Sequence, residues 1–69
     1  MSEIIFVINE SEEGGYTAKS LTESIFTEGE TLDELKRNVK EAVQCHFEES
    51  ATSPKIIRLH FVKDELIAI

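Results

Sequence analysis

The chain has 69 residues, with 14 acidic side chains against 7 basic ones, a net charge of −7, and 41% apolar and 30% charged residues. That length is about half of a typical domain, so residues 1–69 read as one domain. The composition is too apolar for a disordered chain, no apolar run approaches the ~20 residues of a membrane span, and the acidic balance argues against nucleic acid, whose phosphates demand Lys and Arg.

The opening Met1-Ser2-Glu3 lacks the basic start of a secretory leader. Residues 3–8 read E-I-I-F-V-I, β-branched and aromatic, which predicts a strand buried on both faces over part of its length. Residues 9–15 are polar and end in Gly14-Gly15, where a turn can use positive φ without a Cβ clash. Residues 15–21 then complete a hairpin with Tyr16, Ala18 and Ser20 on one face, and residues 24–27 (S-I-F-T) predict a third short strand.

Glu28-Gly29-Glu30 reads as a turn and Thr31-Leu32-Asp33-Glu34 as a capping box. The Thr31 hydroxyl can accept from the Glu34 amide while the Glu34 carboxylate reaches back to the Thr31 amide. Asp33 and Glu34 also complement the positive end of the helix dipole. Leu32, Leu35, Val39, Ala42, Val43 and His46 or Phe47 recur at spacings of three and four, which predicts an amphipathic helix over residues 32–49. Its outer face carries Lys36, Arg37, Lys40, Glu41, Glu48 and Glu49. Residues 50–54 form a linker that Pro54 closes to helix. Residues 56–62 alternate Ile57, Leu59 and Phe61 against Arg58 and His60, a half-buried strand. Lys63-Asp64-Glu65 breaks the pattern, and Leu66, Ile67, Ala68 and Ile69 read as a final short strand.

The order β-β-β-α-β, with that last segment as an optional fifth strand, predicts a small two-layer α+β fold: an antiparallel or mixed sheet with one helix on one face. The strands at 3–8 and 56–62 are apolar enough to be expected at the centre. The helix is expected over Ile4, Phe6, Ile8, Ile57, Leu59 and Phe61. The other face would hold Ile5, Val7, Tyr16 or Thr17, Arg58 and His60, uncovered and therefore an interface. Below ~70–80 residues one core seldom supplies more than ~3–5 kcal/mol, so assembly with a second chain is an expected source of stability.

The residue types that carry chemistry do not converge in the sequence. Cys45 has no second cysteine to pair with, which makes the reducing cytoplasm the expected compartment. Cys45 and His46 are adjacent on a helix and point about 100° apart, so with His60 they make a poor metal set, and Cys45 is expected to pack. A nucleophilic Cys45 would need a base and an orienting group in reach. The carboxylate pairs Glu12-Glu13, Asp33-Glu34, Glu48-Glu49 and Asp64-Glu65 fall in turns or at helix ends, where they stay solvated and ionised. Gly14-Gly15 leads into a strand, not the helix of a phosphate loop. Catalytic residues, metal and cofactor are accordingly expected to be absent.

Charge is concentrated at the front. Residues 1–30 hold seven Glu against one Lys, a net of −6. Glu10, Glu12, Glu13 and Tyr16 are therefore the expected contact residues for a basic partner. Direct nucleic-acid binding would require Lys36, Arg37, Lys40 and Arg58 to share one surface. At the other end, Leu66, Ile67, Ala68 and Ile69 either close a hairpin on residues 56–62 or pair with another chain, and they are the candidate self-association segment.

Gly14-Gly15-Tyr16-Thr17-Ala18, then Thr27-Glu28-Gly29-Glu30-Thr31-Leu32-Asp33-Glu34-Leu35, then Asn38-Val39-Lys40-Glu41-Ala42-Val43 resemble the HicB antitoxin family, with its G-G-Y-x-A hairpin, G-D/E-T-x-x-E-A helix start and N-x-x-E-A helix centre. The likeness covers residues 3–49. It implies a partial ribonuclease-H-like fold without that enzyme's carboxylate cluster, and a domain that binds and neutralises a small HicA ribonuclease toxin in a homo-oligomeric complex. Many members carry a Pro-x-x-x-Gly-Cys type segment between strands 2 and 3, where this chain reads Lys19-Ser20-Leu21-Thr22-Glu23-Ser24-Ile25-Phe26. The sequence stops at Ile69, before the DNA-binding domain that such antitoxins usually append, so operator binding is not expected of it. The resulting expectation is a non-catalytic interaction domain that forms a homo-dimer or tetramer and binds a small basic toxin. The alternative is a ligand-binding domain or small enzyme using the sheet face around Tyr16, Arg58 and His60.

Overall fold

The computed structural model describes residues 3–48 and 53–69. Most of the predicted linker lies outside them, and the helix predicted to run to Glu49 ends at His46 with Phe47 as its C-cap. Four strands and one helix follow in chain order: β1 (Glu3–Glu10), β2 (Tyr16–Ser20), β3 (Phe26–Gly29), α1 (Leu32–His46) and β4 (Ile56–Val62). The sheet order is β3-β2-β1-β4, with β1–β2 and β2–β3 antiparallel and β1–β4 parallel. This is the expected small α+β fold with a mixed sheet. None of the described helices is long and apolar enough to cross a membrane.

Alternation along β1 sends Ile4, Phe6 and Ile8 into the core, each at most 1% exposed, while Ile5 and Val7 face the other way at half burial. The helix presents Leu35, Val39 and Val43 to them, with Ala18, Ile25 and Phe47 completing the cluster. At the helix end Phe47 is the buried residue and His46 the exposed one. The Thr31 hydroxyl accepts from the Glu34 amide at 3.1 Å as expected, but the Glu34 carboxylate accepts from the Glu30 amide at 3.3 Å, one residue earlier than a reciprocal box would have it.

Three expectations are corrected. The third strand begins two residues later than predicted. Ile25 and Phe26 are both apolar, and pairing of Lys19 with Phe26 turns Phe26 outward while Ile25 drops into the core. Second, β4 is an edge strand, because β1 takes the centre with β2 on one side and β4 on the other. Third, residues 63–69 form no strand and no hairpin on β4, and all are exposed, so the self-association candidates Leu66, Ile67, Ala68 and Ile69 stand in solvent. The molecule measures 53 × 20 × 17 Å, about twice the length of an eight-residue strand at ~3.3 Å per residue.

The position of α1 explains why the β4 side is open. Its closest backbone approaches are to β3 and β2. Gly29 makes this possible: a Cβ there would lie 2.5 Å from the Leu35 amide nitrogen, so only glycine lets the helix start rest on the end of β3. The Asn38 side-chain amide donates to the Glu28 carbonyl at 2.8 Å and ties the next turn to the same strand. Drawn to that side, α1 leaves Ile57 and Leu59 half covered and Phe61 49% exposed.

Candidate functional site

The hairpin tip and the helix start meet in one cleft. Ser11 donates its amide to the Gly15 carbonyl at 2.9 Å and accepts from the Gly14 amide at 3.1 Å. Gly14 (φ 97°) and Gly15 (φ 87°) make the turn that this requires. The turn delivers Glu13 beside Tyr16. Pairing of Thr17 with Glu28 and Tyr16 with Gly29 then brings up Glu28 and Glu30 from β3 and its exit, and Glu34 from the first turn of α1. The result is an open cleft of about 510 Å³ walled by Glu13, Glu28, Glu30 and Glu34, with Tyr16 on its core side and no Lys, Arg or His among its lining residues. Glu34 is engaged with the Glu30 amide and the helix dipole. Glu13, Glu28 and Glu30 are exposed and have no ion-pair partner among the described residues.

The expected contact set is therefore divided. Glu13 and Tyr16 line this cleft, whereas Glu10 and Glu12 line a second one, about 680 Å³, where the chain leaves β4 through Lys63, Asp64, Glu65 and Leu66. Glu28, Glu30 and Glu34 are functional candidates that the sequence reading assigned only to a turn and a cap. Their signal was present in the second reversal, because a chain that turns back between Ser20 and Phe26 brings Glu28 beside Thr17.

Tyr16, Arg58 and His60 do not form the alternative site. Tyr16 packs against the core on the helix side, while Arg58 pairs with Ile5 and His60 with Val7 on the opposite face. Arg58 is bonded through Nε to a Glu3 carboxylate oxygen. That hydrogen bond first, and then the opposite charge of the partner, lower the Glu3 carboxyl below its ordinary pKa and raise Arg58 above its own. Cys45 is exposed and does not pack as expected, since Ala42 and Val43 take the inward helix positions at that level. His46 Nε2 lies 3.4 Å from a Glu23 carboxylate oxygen and stacks edge-on against Phe47. Among the described residues no three His, Cys, Asp or Glu side chains gather as a metal set.

The cations also divide. Lys36 and Lys40 of α1 join Lys55 around a groove of about 410 Å³ whose floor is Val39, Ile57 and Leu59. Arg58 is on the far face of the sheet, so Lys36, Arg37, Lys40 and Arg58 do not share one surface.

A UPF0150 protein of Thermotoga maritima is 51% identical to this chain over 67 residues, covering 97% of this chain and 93% of the relative. A UPF0150 protein of Archaeoglobus fulgidus is 54% identical over 46 residues, covering 67% of this chain and 68% of that protein. No family model matches the chain, and no solved structure matches it significantly.

Proposed function

The chain belongs to the UPF0150 family, and from that premise we propose that it is a non-catalytic protein-interaction domain of the HicB-like kind, which self-associates and captures a small basic protein. A HicA-type ribonuclease toxin is the partner that the motif resemblance points to. The observation that carries the reading is the open cleft at the hairpin tip, lined by Glu13, Glu28, Glu30, Glu34 and Tyr16 with no Lys, Arg or His among its lining residues. Uncompensated carboxylates in a concave wall attract and orient Lys and Arg side chains. An arginine inserted there gains charge-assisted hydrogen bonds to the carboxylates. The opposing balance of an RNA-binding toxin, rich in Lys and Arg, complements it.

Titration of a HicA-type toxin from the same genome into this chain tests the proposal, alongside the variant Glu28→Lys/Glu30→Lys. Both positions are exposed, so the fold tolerates the change. The expected result is binding that weakens with added salt, a loss of at least about tenfold in the variant (~1.4 kcal/mol), and recovery of toxin ribonuclease activity. Equal affinity of variant and parent, or no binding by either, overturns the reading.

A further inference from the structure

The groove between α1 and β4 and the chain's own last residues are complementary in both polarity and charge. The groove has an apolar floor of Val39, Ile57 and Leu59 and a rim of Lys36, Lys40 and Lys55, with no carboxylate among its lining residues. Residues 64–69 read Asp-Glu-Leu-Ile-Ala-Ile, two carboxylates followed by four apolar residues. All six are exposed, Leu66 by 97% and Ile67 by 86%. Large aliphatic side chains held this far into water form an unsatisfied apolar surface. Beside the groove, β4 has β1 on one side and, among the described residues, no strand on the other, so its outer N–H and C=O groups are open to a further strand. Residues 63–69 leave β4 beyond Val62, past the end of the strand away from Lys55, and do not turn back onto it.

We propose that two copies of this chain exchange these segments reciprocally. Residues 64–69 of one copy lie along the free edge of β4 in the other, with aliphatic side chains over Val39, Ile57 and Leu59 and with Asp64 and Glu65 against the lysine rim. The occupant is a second copy because this chain itself carries the sequence that complements the groove. The exchange is isologous, so a single two-fold axis satisfies both grooves and closes the assembly as a dimer. The inference rests on the self-association part of the reading above and gives it a segment and a receptor.

Charge reversal in the full chain tests it, because Lys36, Lys40, Asp64 and Glu65 are all exposed. The parent, Lys36→Glu/Lys40→Glu and Asp64→Lys/Glu65→Lys are compared by sedimentation, with circular dichroism as the check of folding. The parent is expected to be a dimer, and each variant alone is expected to dimerise at least about tenfold more weakly. An equimolar mixture of the two variants is expected to recover the dimer, since each tail then meets a groove of opposite charge. A dimer indifferent to both reversals overturns tail exchange while leaving self-association standing. A parent that stays monomeric up to on the order of 0.1 mM overturns both. Failure of the mixture to recover the dimer, with each variant folded, also overturns the exchange.

Discussion

The two strands that flank each other as β1 and β4 carry much the same alternating pattern and meet different fates. Ile4, Phe6 and Ile8 of β1 are sealed, whereas Ile57, Leu59 and Phe61, their direct partners across the parallel ladder, are half-buried or exposed. Side-chain chemistry does not account for this, since both strands direct three large apolar residues to the helix side. The helix accounts for it. Gly29 and Asn38 hold α1 against β3, so its apolar stripe covers β2 and β1 and leaves β4 at its margin. One side of the molecule is thus a closed core and the other an unfinished one, and the proposed assembly lies on the unfinished side.

The sharpest way to break this comparison is truncation at matched places. Phe6→Ala should cost about 3–5 kcal/mol, comparable to the whole stability available to a domain this small, and should abolish the cooperative urea transition. Phe61→Ala, on the same face one strand over, should cost well under half of that. Equal losses would show that β4 is as enclosed as β1. Gly29→Ala comes next. The added methyl meets Leu35 backbone, which cannot rotate away, so roughly 1–3 kcal/mol is expected from the forced shift of α1, measured as a lower urea midpoint. An unchanged midpoint would mean that the helix is not pinned there. The smallest effect concerns Glu3 and Arg58, the exposed pair that links the margins of β1 and β4. The Glu3 pKa is lowered in the folded chain, so its contribution is present above the unfolded carboxylate value and is lost as pH falls through the lower folded value. Parent and Glu3→Gln should therefore differ slightly near neutral pH, converge in acid, and converge at neutral pH in high salt. A gap that widens on acidification would refute the assigned sign.

Much of this fold was legible residue by residue. The inward parity of Ile4, Phe6 and Ile8, the twin glycines of the turn and the Thr31 cap are local signals, each readable within a few positions. The candidate cleft was only half legible. Glu13 and Tyr16 announced themselves in the hairpin, but Glu28, Glu30 and Glu34 became their neighbours through strand pairing over a dozen residues. Tyr16, Arg58 and His60 failed as a group for the matching reason. The register that joins β1 to β4 turns Arg58 and His60 to the face that the helix does not cover, and Tyr16 falls on the other.

By itself, the order of residues determined the types of the five elements, the inward faces of β1 and β4, the acidic front and the apolar end, because a period of 2.0 or 3.6 is a property of the backbone within a single element. The tertiary structure decided which strand is central, which apolar neighbour of Ile25 and Phe26 is buried, and where the lysines gather. Those outcomes depend on contacts between elements far apart in the chain, and here on the one close approach that a missing Cβ at Gly29 allows.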